Sequence, residues 1–133
     1  MSMDDLAVIG KPNLKYDWHS KLTGAARYTD DLRLPRMIYG RLLRSPYPHA
    51  RILRVDTSRA EALPGVFAVV TGKDFPVPYG ILPSSQDETA LAVDKVRYVG
   101  EAVAAVAAVD EWTAEEACNC IEVVYEPLQP LMS

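Results

Sequence analysis

Apolar and polar positions alternate along much of this 133-residue chain, and the places where alternation fails locate its elements. Met37–Leu43 (MIYGRLL) sets Tyr39, Arg41 and Leu43 on one side and Ile38, Gly40 and Leu42 on the other. That period of two predicts a strand, with Gly40 marking a close approach or a bulge. Ser45-Pro46-Tyr47-Pro48 ends the run, because each proline lacks an amide donor and disfavours helix before it. Alternation resumes over His49–Asp56 (HARILRVD), a second strand. Ser58 and Glu61 then have capping-box spacing, Ala60, Ala62 and Leu63 favour helix, and Pro64-Gly65 stops it. Val66–Thr71 (VFAVVT) is β-branched and apolar, which predicts a buried strand.

Residues 72–86 (GKDFPVPYGILPSSQ) contain three prolines and two glycines and are predicted as loop. A loop this long in a compact domain is commonly functional. Lys95–Val99 reads as a strand, and Ala102–Val109 contains only Ala and Val. That composition suits a core helix or a buried strand; strand is preferred, because a helix signal follows at once. In that signal Thr113 and Glu116 form a second capping box, with Trp112 positioned to staple onto Ala117. Ala114, Ala117, Cys118 and Ile121 supply the i, i+3, i+4, i+7 stripe, and Val123–Tyr125 is a last strand closed by Glu126-Pro127.

The order is strand, strand, helix, strand, long loop, strand, strand, helix, strand, which is an α+β domain. Residues 1–20 show little periodicity and are predicted as an N-terminal arm, leaving 21–133 as one domain, with Lys21–Asp31 a turn leading into it. This length buries roughly 65–70% of the unfolded chain's surface, enough for a core but short for a redox enzyme with several cofactors. Hydrophobic residues at 49% and charged residues at 24% exclude a disordered or fibrous chain. The longest apolar run has eight residues, against the ~20 a membrane helix needs. The opening MSMDDLAVIGK lacks the basic-then-apolar order of a secretory signal, so a soluble, cytoplasmic chain is expected.

Charge is unevenly spread. Residues 1–60 carry 11 Lys+Arg against 6 Asp+Glu, and residues 61–133 carry 3 against 12. A fold that interleaves the halves erases the asymmetry; one that separates them offers a basic face to an acidic partner. The sequence pI near 5 and the dispersed arginines argue against nucleic acid.

Catalytic apparatus is sparse. The chain has no GxGxxG, no GxxxxGK and no GxSxG. Val70-Thr71-Gly72-Lys73 resembles the end of a phosphate loop without its upstream glycine. Cys118 and Cys120 fall on nearly opposite sides of a helix, and with His19 and His49 distant they make no metal site; small core residues in a reducing compartment are expected. Asp30-Asp31 reads as a solvated turn and Glu115-Glu116 as helix N-terminal charge, so no catalytic residue is assigned. His49 is expected to pin the double-proline corner through a backbone carbonyl. Arg41, Arg44, Arg51 and Arg54 suit either carboxylates of a neighbouring chain or solvated strand faces. Tyr79, Tyr98 and Trp112 are expected to pack rather than bind ligand.

The segment Gly40–Ile52, GRLLRSPYPHARI, resembles a hallmark of the molybdenum hydroxylases, the xanthine dehydrogenase and aldehyde oxidase family. Further similar pieces arrive in the family's order: Lys21-Leu22-Thr23-Gly24 with Tyr28 and Asp30; Leu63-Pro64-Gly65-Val66 running to Thr71-Gly72-Lys73-Asp74; Lys95–Glu101 (KVRYVGE); and Tyr125-Glu126-Pro127-Leu128. The resemblance implies the α/β-hammerhead domain that opens the family's large subunit, with mixed-sheet strands and two helices packed on them. Pro76–Pro83 (PVPYGILP) looks most like the large subunit of 4-hydroxybenzoyl-CoA reductases.

In that family the residues at molybdenum and the cofactor loops lie hundreds of positions beyond the hammerhead, and none of them is in these 133 residues. The resemblance therefore implies a module that is inactive alone and binds no cofactor. Molybdopterin is expected on a large partner chain, iron–sulfur clusters on a second subunit and FAD on a third. Whether the chain is a separate subunit or a truncated product stays open. The long loop borders the substrate funnel in the family, which places Ser84, Ser85 and Gln86 near its lip. These polar residues differ from the apolar ones expected in a purine oxidiser. The alternatives are a freestanding interaction scaffold, or a small-molecule binder using the Pro-rich loop.

Overall fold

The computed structural model describes residues 8–131. The first seven residues of the expected arm and the last two of the chain lie outside them. The chain divides into two compact units, one ending at Pro35 and one beginning at Arg36. In the first, a short helix α1 (Trp18–Leu22) crosses the end of the expected arm, with Lys21 Nζ 2.5 Å from Asp17 Oδ2. A 3-10 turn at Thr29–Asp31 follows, in which the Asp31 carboxylate accepts the Tyr28 amide at 2.9 Å.

The second unit holds the α+β domain: β1 (Tyr39–Arg44), β2 (Ala50–Asp56), α2 (Ser58–Glu61), β3 (Val66–Thr71), β4 (Lys95–Val96), β5 (Ala102–Ala108), α3 (Glu111–Cys120) and β6 (Glu122–Pro127). The order is the expected one. The strands divide between two three-stranded sheets, β1-β5-β3 and β4-β2-β6, and each pairing is antiparallel. The double-proline corner carries the chain from one sheet to the other. There Ser45 is buried, its hydroxyl accepting the Tyr47 amide at 3.0 Å, and the Tyr47 and Tyr125 rings lie 5.1 Å apart. Burial pushes the Tyr125 phenol above its usual pKa.

β5 is a strand because both of its edges are paired, with β1 on one side and β3 on the other. Ala104, Val106 and Ala108 turn one way, under α3, and are buried. The stripe of α3 is as expected: Ala114, Ala117, Cys118 and Ile121 are all buried, and burial raises the Cys118 thiol pKa. Val103 turns the other way and joins Ala50, Ala92 and Val96 in a second cluster beneath β2. Each buried valine contributes about 1.5–3 kcal/mol relative to exposure.

Both capping boxes are corrected. α3 starts at Glu111, and its cap is Asp110, whose carboxylate accepts the Thr113 amide at 2.8 Å. Aspartate is a strong N-cap, and its position three residues before Thr113 outcompetes the box at Thr113. Trp112 is 82% exposed, so no staple onto Ala117 forms. With the start moved back, Glu115 and Glu116 fall in the second turn, and the first-turn acid is Glu111. At α2, Asp56 takes both the amide and the hydroxyl of Ser58, while Glu61 accepts the Thr57 hydroxyl at 2.6 Å. The strand expected over Lys95–Val99 is only two residues long, because Arg97 turns its amide to the Glu101 carboxylate.

Candidate functional site

The long loop is folded back on itself. At its start Asp74 accepts the Thr71 amide at 2.6 Å and the Thr71 hydroxyl at 2.9 Å, which holds the Asp74 carboxyl below the usual range. Those bonds account for the Thr71-Gly72-Lys73 motif as a strand-end turn. Further on, Tyr79 and Glu88 exchange two backbone bonds, at 2.8 and 3.1 Å, and Leu82 bridges Ser85. The loop tip is therefore Leu82-Pro83-Ser84-Ser85, a turn with proline at its second position. Gly80 makes the fold-back possible: a Cβ there would lie 2.1 Å from the Ser85 carbonyl oxygen.

The expected site residues sit together at this tip in different roles. Ser84 and Gln86 are exposed, whereas Ser85 is half-buried and donates its hydroxyl to Asp87 at 3.1 Å. Ser85 also lines a cleft of about 480 Å³ with Arg44, Tyr79, Glu88, Arg97 and Tyr98. Arg44 is fixed there by donating to the Gly100 carbonyl at 2.8 Å, and Arg97 pairs with Glu101 at 3.5 Å. The cleft thus carries two guanidinium groups, carboxylates and two aromatic faces, a set suited to holding a polar, planar molecule by hydrogen bonds and stacking.

Tyr79 and Tyr98, expected to pack, are instead 52% and 59% exposed and form the cleft walls, which corrects that reading. Period-based reasoning misses them because both lie in irregular segments where alternation carries no information about burial. Arg44 and Arg97 fall within the quoted family pieces, but nothing in those pieces signals that they meet Glu88, because the three converge from separate segments.

The remaining candidates resolve structurally. His49 Nδ1 lies 3.0 Å from the Gln129 carbonyl, and the Leu128 amide donates to the His49 carbonyl, so this histidine pins the corner as expected. The arginines pair with carboxylates of this same chain: Arg41 with Glu115 at 3.5 Å, Arg51 with Glu126 at 3.0 Å, Arg54 with Asp56 at 3.3 Å, and Arg59 with Glu122 at 3.1 Å. Three of those pairs join the basic half to the acidic half, so the fold interleaves the charge asymmetry. Such exposed pairs contribute little stability.

Among the described residues no three His, Cys, Asp or Glu side chains converge to hold a metal, and the donor set does not fit a metal or cluster centre. No helix among them is long and apolar enough to cross a membrane.

Two small antiparallel sheets joined at a proline corner, with a short helix and a long helix against one of them and a folded-back loop at the rim, define an α/β-hammerhead module. The family model described as "Aldehyde oxidase and xanthine dehydrogenase, a/b hammerhead domain" matches residues 23–129. The chain belongs to this family, the hammerhead domains of the molybdenum hydroxylases.

The chain is 46% identical over 129 residues to a probable xanthine dehydrogenase subunit of Bacillus subtilis, covering 95% of this chain and 17% of that protein. It is 43% identical over 112 residues to the carbon monoxide dehydrogenase large chain of Afipia carboxidovorans, covering 82% and 14%. Among solved structures, reconstituted CO dehydrogenase from Oligotropha carboxidovorans superposes with a TM-score of 0.82 at 38% identity, over 93% of this chain and 16% of that one. Quinoline 2-oxidoreductase from Pseudomonas putida 86 gives 0.80 at 39%, over 90% and 16%. The chain spans about one sixth of the length of these relatives.

Proposed function

We propose that this chain acts as the hammerhead module of a molybdenum-cofactor oxidoreductase of the aldehyde, xanthine or aromatic acyl-CoA type. It supplies packing and one wall of the substrate channel, and it is not catalytic alone. The observation that carries this reading is the match over residues 23–129 to a domain that forms only about a sixth of the relatives. Residues 21–133 work as the domain and 1–20 as its arm, in the cytoplasm. Molybdopterin resides on a large chain, iron–sulfur clusters and FAD on further subunits.

The Leu82–Ser85 turn is the channel lip. Ser84 and Gln86 meet incoming substrate, and Ser85 orders the turn through Asp87. The polar lip favours a substrate with hydrogen-bonding groups at its outer end, which suits the likeness of Pro76–Pro83 to 4-hydroxybenzoyl-CoA reductases. A loop on a rigid scaffold can select substrate in this way without touching the reacting atoms.

The test is steady-state kinetics of the assembled complex. Gln86→Ala is expected to raise KM about fivefold with kcat unchanged, the loss of one hydrogen bond made equally in ground and transition states. An unchanged KM for both Ser84→Ala and Gln86→Ala removes these residues from the channel. Molybdenum and turnover in the purified chain by itself overturn the modular reading.

A further inference from the structure

The two sheets differ in what they show to solvent. The outer face of β4-β2-β6 is mixed: Arg51, Arg54, Asp56, Glu122 and Glu126 satisfy one another around the exposed Leu53 and Val124. The face of β1-β5-β3 turned away from α3 carries Arg44 at one end of β1 and is uncharged from Leu42 back to Ile38. Register places Gly40, Ala107 and Ala68 in one row across the three strands, and Leu42, Ala105 and Val70 in the next. Gly40 and Ala68 are exposed, Leu42 is 42% exposed, and Ile38 and Phe67 flank the small row at 54% and 65%. Val103 on the same side is already covered by Ala50, Ala92 and Val96, so the sheet passes from a packed end to an open one. Contiguous uncharged surface of this kind marks a protein–protein contact.

We propose that this open face docks the molybdopterin-bearing polypeptide through an apolar ridge that enters the row Gly40, Ala107, Ala68; the proposal rests on the functional reading above. The relatives supply the occupant, because there the module forms only 16–17% of a chain whose remainder must pack against it. Shape favours that occupant over a second copy. Side-chain volume dips along the small row, between Leu42 and Val70 on one side and Ile38 and Phe67 on the other. Two such dips face to face leave a void, whereas a ridge fills one, as close packing requires. On β4-β2-β6 the exposed Leu53 and Val124 are hemmed by ion pairs and form no uncharged row.

Gly40 separates folding from docking. A Cβ built there meets nothing nearer than the Val106 carbonyl oxygen at 4.0 Å, so the chain itself has room for a side chain. Valine also suits a strand better than glycine does. Gly40→Val therefore keeps or raises the Tm of the chain while filling the row that the ridge enters.

The experiment is affinity purification of the tagged full-length chain from its native host as wild type, Gly40→Val and Arg54→Ala. Molybdenum is measured by plasma mass spectrometry, and the retained polypeptide is identified from its peptides. Wild type and Arg54→Ala are expected to retain equal amounts of a molybdopterin-binding chain, and Gly40→Val about tenfold less, the order of effect of overpacking at a close contact. Equal retention by Gly40→Val overturns the docking face and leaves the modular reading standing. Absence of any molybdenum-bearing chain with wild type overturns the modular reading and this occupant together. Sedimentation velocity covers the remaining case: a wild-type dimer dissolved by Gly40→Val shows that a second copy covers the face, and also overturns the proposal.

Discussion

Gly72→Ala is expected to be the most damaging single-methyl change at a glycine of the α+β unit that is not a backbone-strain effect. Gly72 is buried at the end of β3, against the segment that leads toward β4. A Cβ at this position would lie 2.3 Å from the Ala92 carbonyl oxygen, 2.7 Å from its carbon and 2.9 Å from the Leu91 oxygen. A carbon–oxygen contact needs about 3.3 Å, so the 91–92 backbone must retreat by about 1 Å. That segment is held by the Ala92 amide donating to the Ala102 carbonyl at 2.8 Å, and it buries Leu91 and Ala92. Losing the hydrogen bond costs about 1 kcal/mol, and partly re-exposing Leu91 costs about 2 kcal/mol more. At about 4–8 °C per kcal/mol for a domain of this size, the Tm falls by about 12–24 °C. The assay is thermal unfolding followed by circular dichroism, with Gly40→Ala as the reference because its site is open. Trimming Ala92 to glycine should not rescue the variant, since the colliding atom belongs to the backbone. A drop below about 4 °C, or rescue by Ala92→Gly, refutes the reasoning.

Two further outcomes follow from the same geometry. Gly80→Ala should open the loop and leave the sheets intact: the amides of Tyr79 and Glu88 lose hydrogen-exchange protection and proteases cut within 80–88, with little change in Tm, because the clash with Ser85 and Gln86 stays inside the loop. Unchanged protection at both amides counts against the fold-back. Acid sensitivity should trace to Asp56, Asp74 and Asp110, whose pKa values are lowered from 3.8 by hydrogen bonds from the Ser58 hydroxyl and amide, the Thr71 amide and hydroxyl, and the Thr113 amide respectively. A depressed folded-state value means the stabilisation is complete above pH 3.8 and is lost as pH falls through the lower folded values. In a pH series of urea unfolding, the triple Asp→Asn variant should therefore show a flatter acid limb below pH 3.8; an identical limb assigns the sensitivity elsewhere.

Much of the architecture is legible in the chain because local patterns and tertiary packing agree. Val66–Thr71 is β-branched and apolar enough to read as a buried strand, and the spacing of Ala114, Ala117, Cys118 and Ile121 names the buried side of α3 directly. The helix starts are not legible in the same way, because a capping box is a weak signal beside a well-placed aspartate, and both Asp56 and Asp110 outcompete the Ser/Thr candidates. The site is legible in part. The loop announces itself by its prolines, and the family resemblance singles out Ser84, Ser85 and Gln86, but nothing local marks Tyr79 and Tyr98 as cleft walls.

What the order of residues determines by itself is the element sequence and the family, since both are written in contiguous segments: period-2 runs, a helical stripe, and the Gly40–Ile52 hallmark. What tertiary structure alone decides is which side of each sheet stays open and which polar groups share the cleft. Arg44, Tyr79 and Arg97 meet only after β1, the loop and the segment after β4 are brought together, and no local period encodes that meeting. The pairing of β5 with both β1 and β3 is likewise non-local. It turns an Ala/Val run compatible with helix into a central strand, because a strand with partners on both edges satisfies its backbone donors and acceptors without needing a helix to do so.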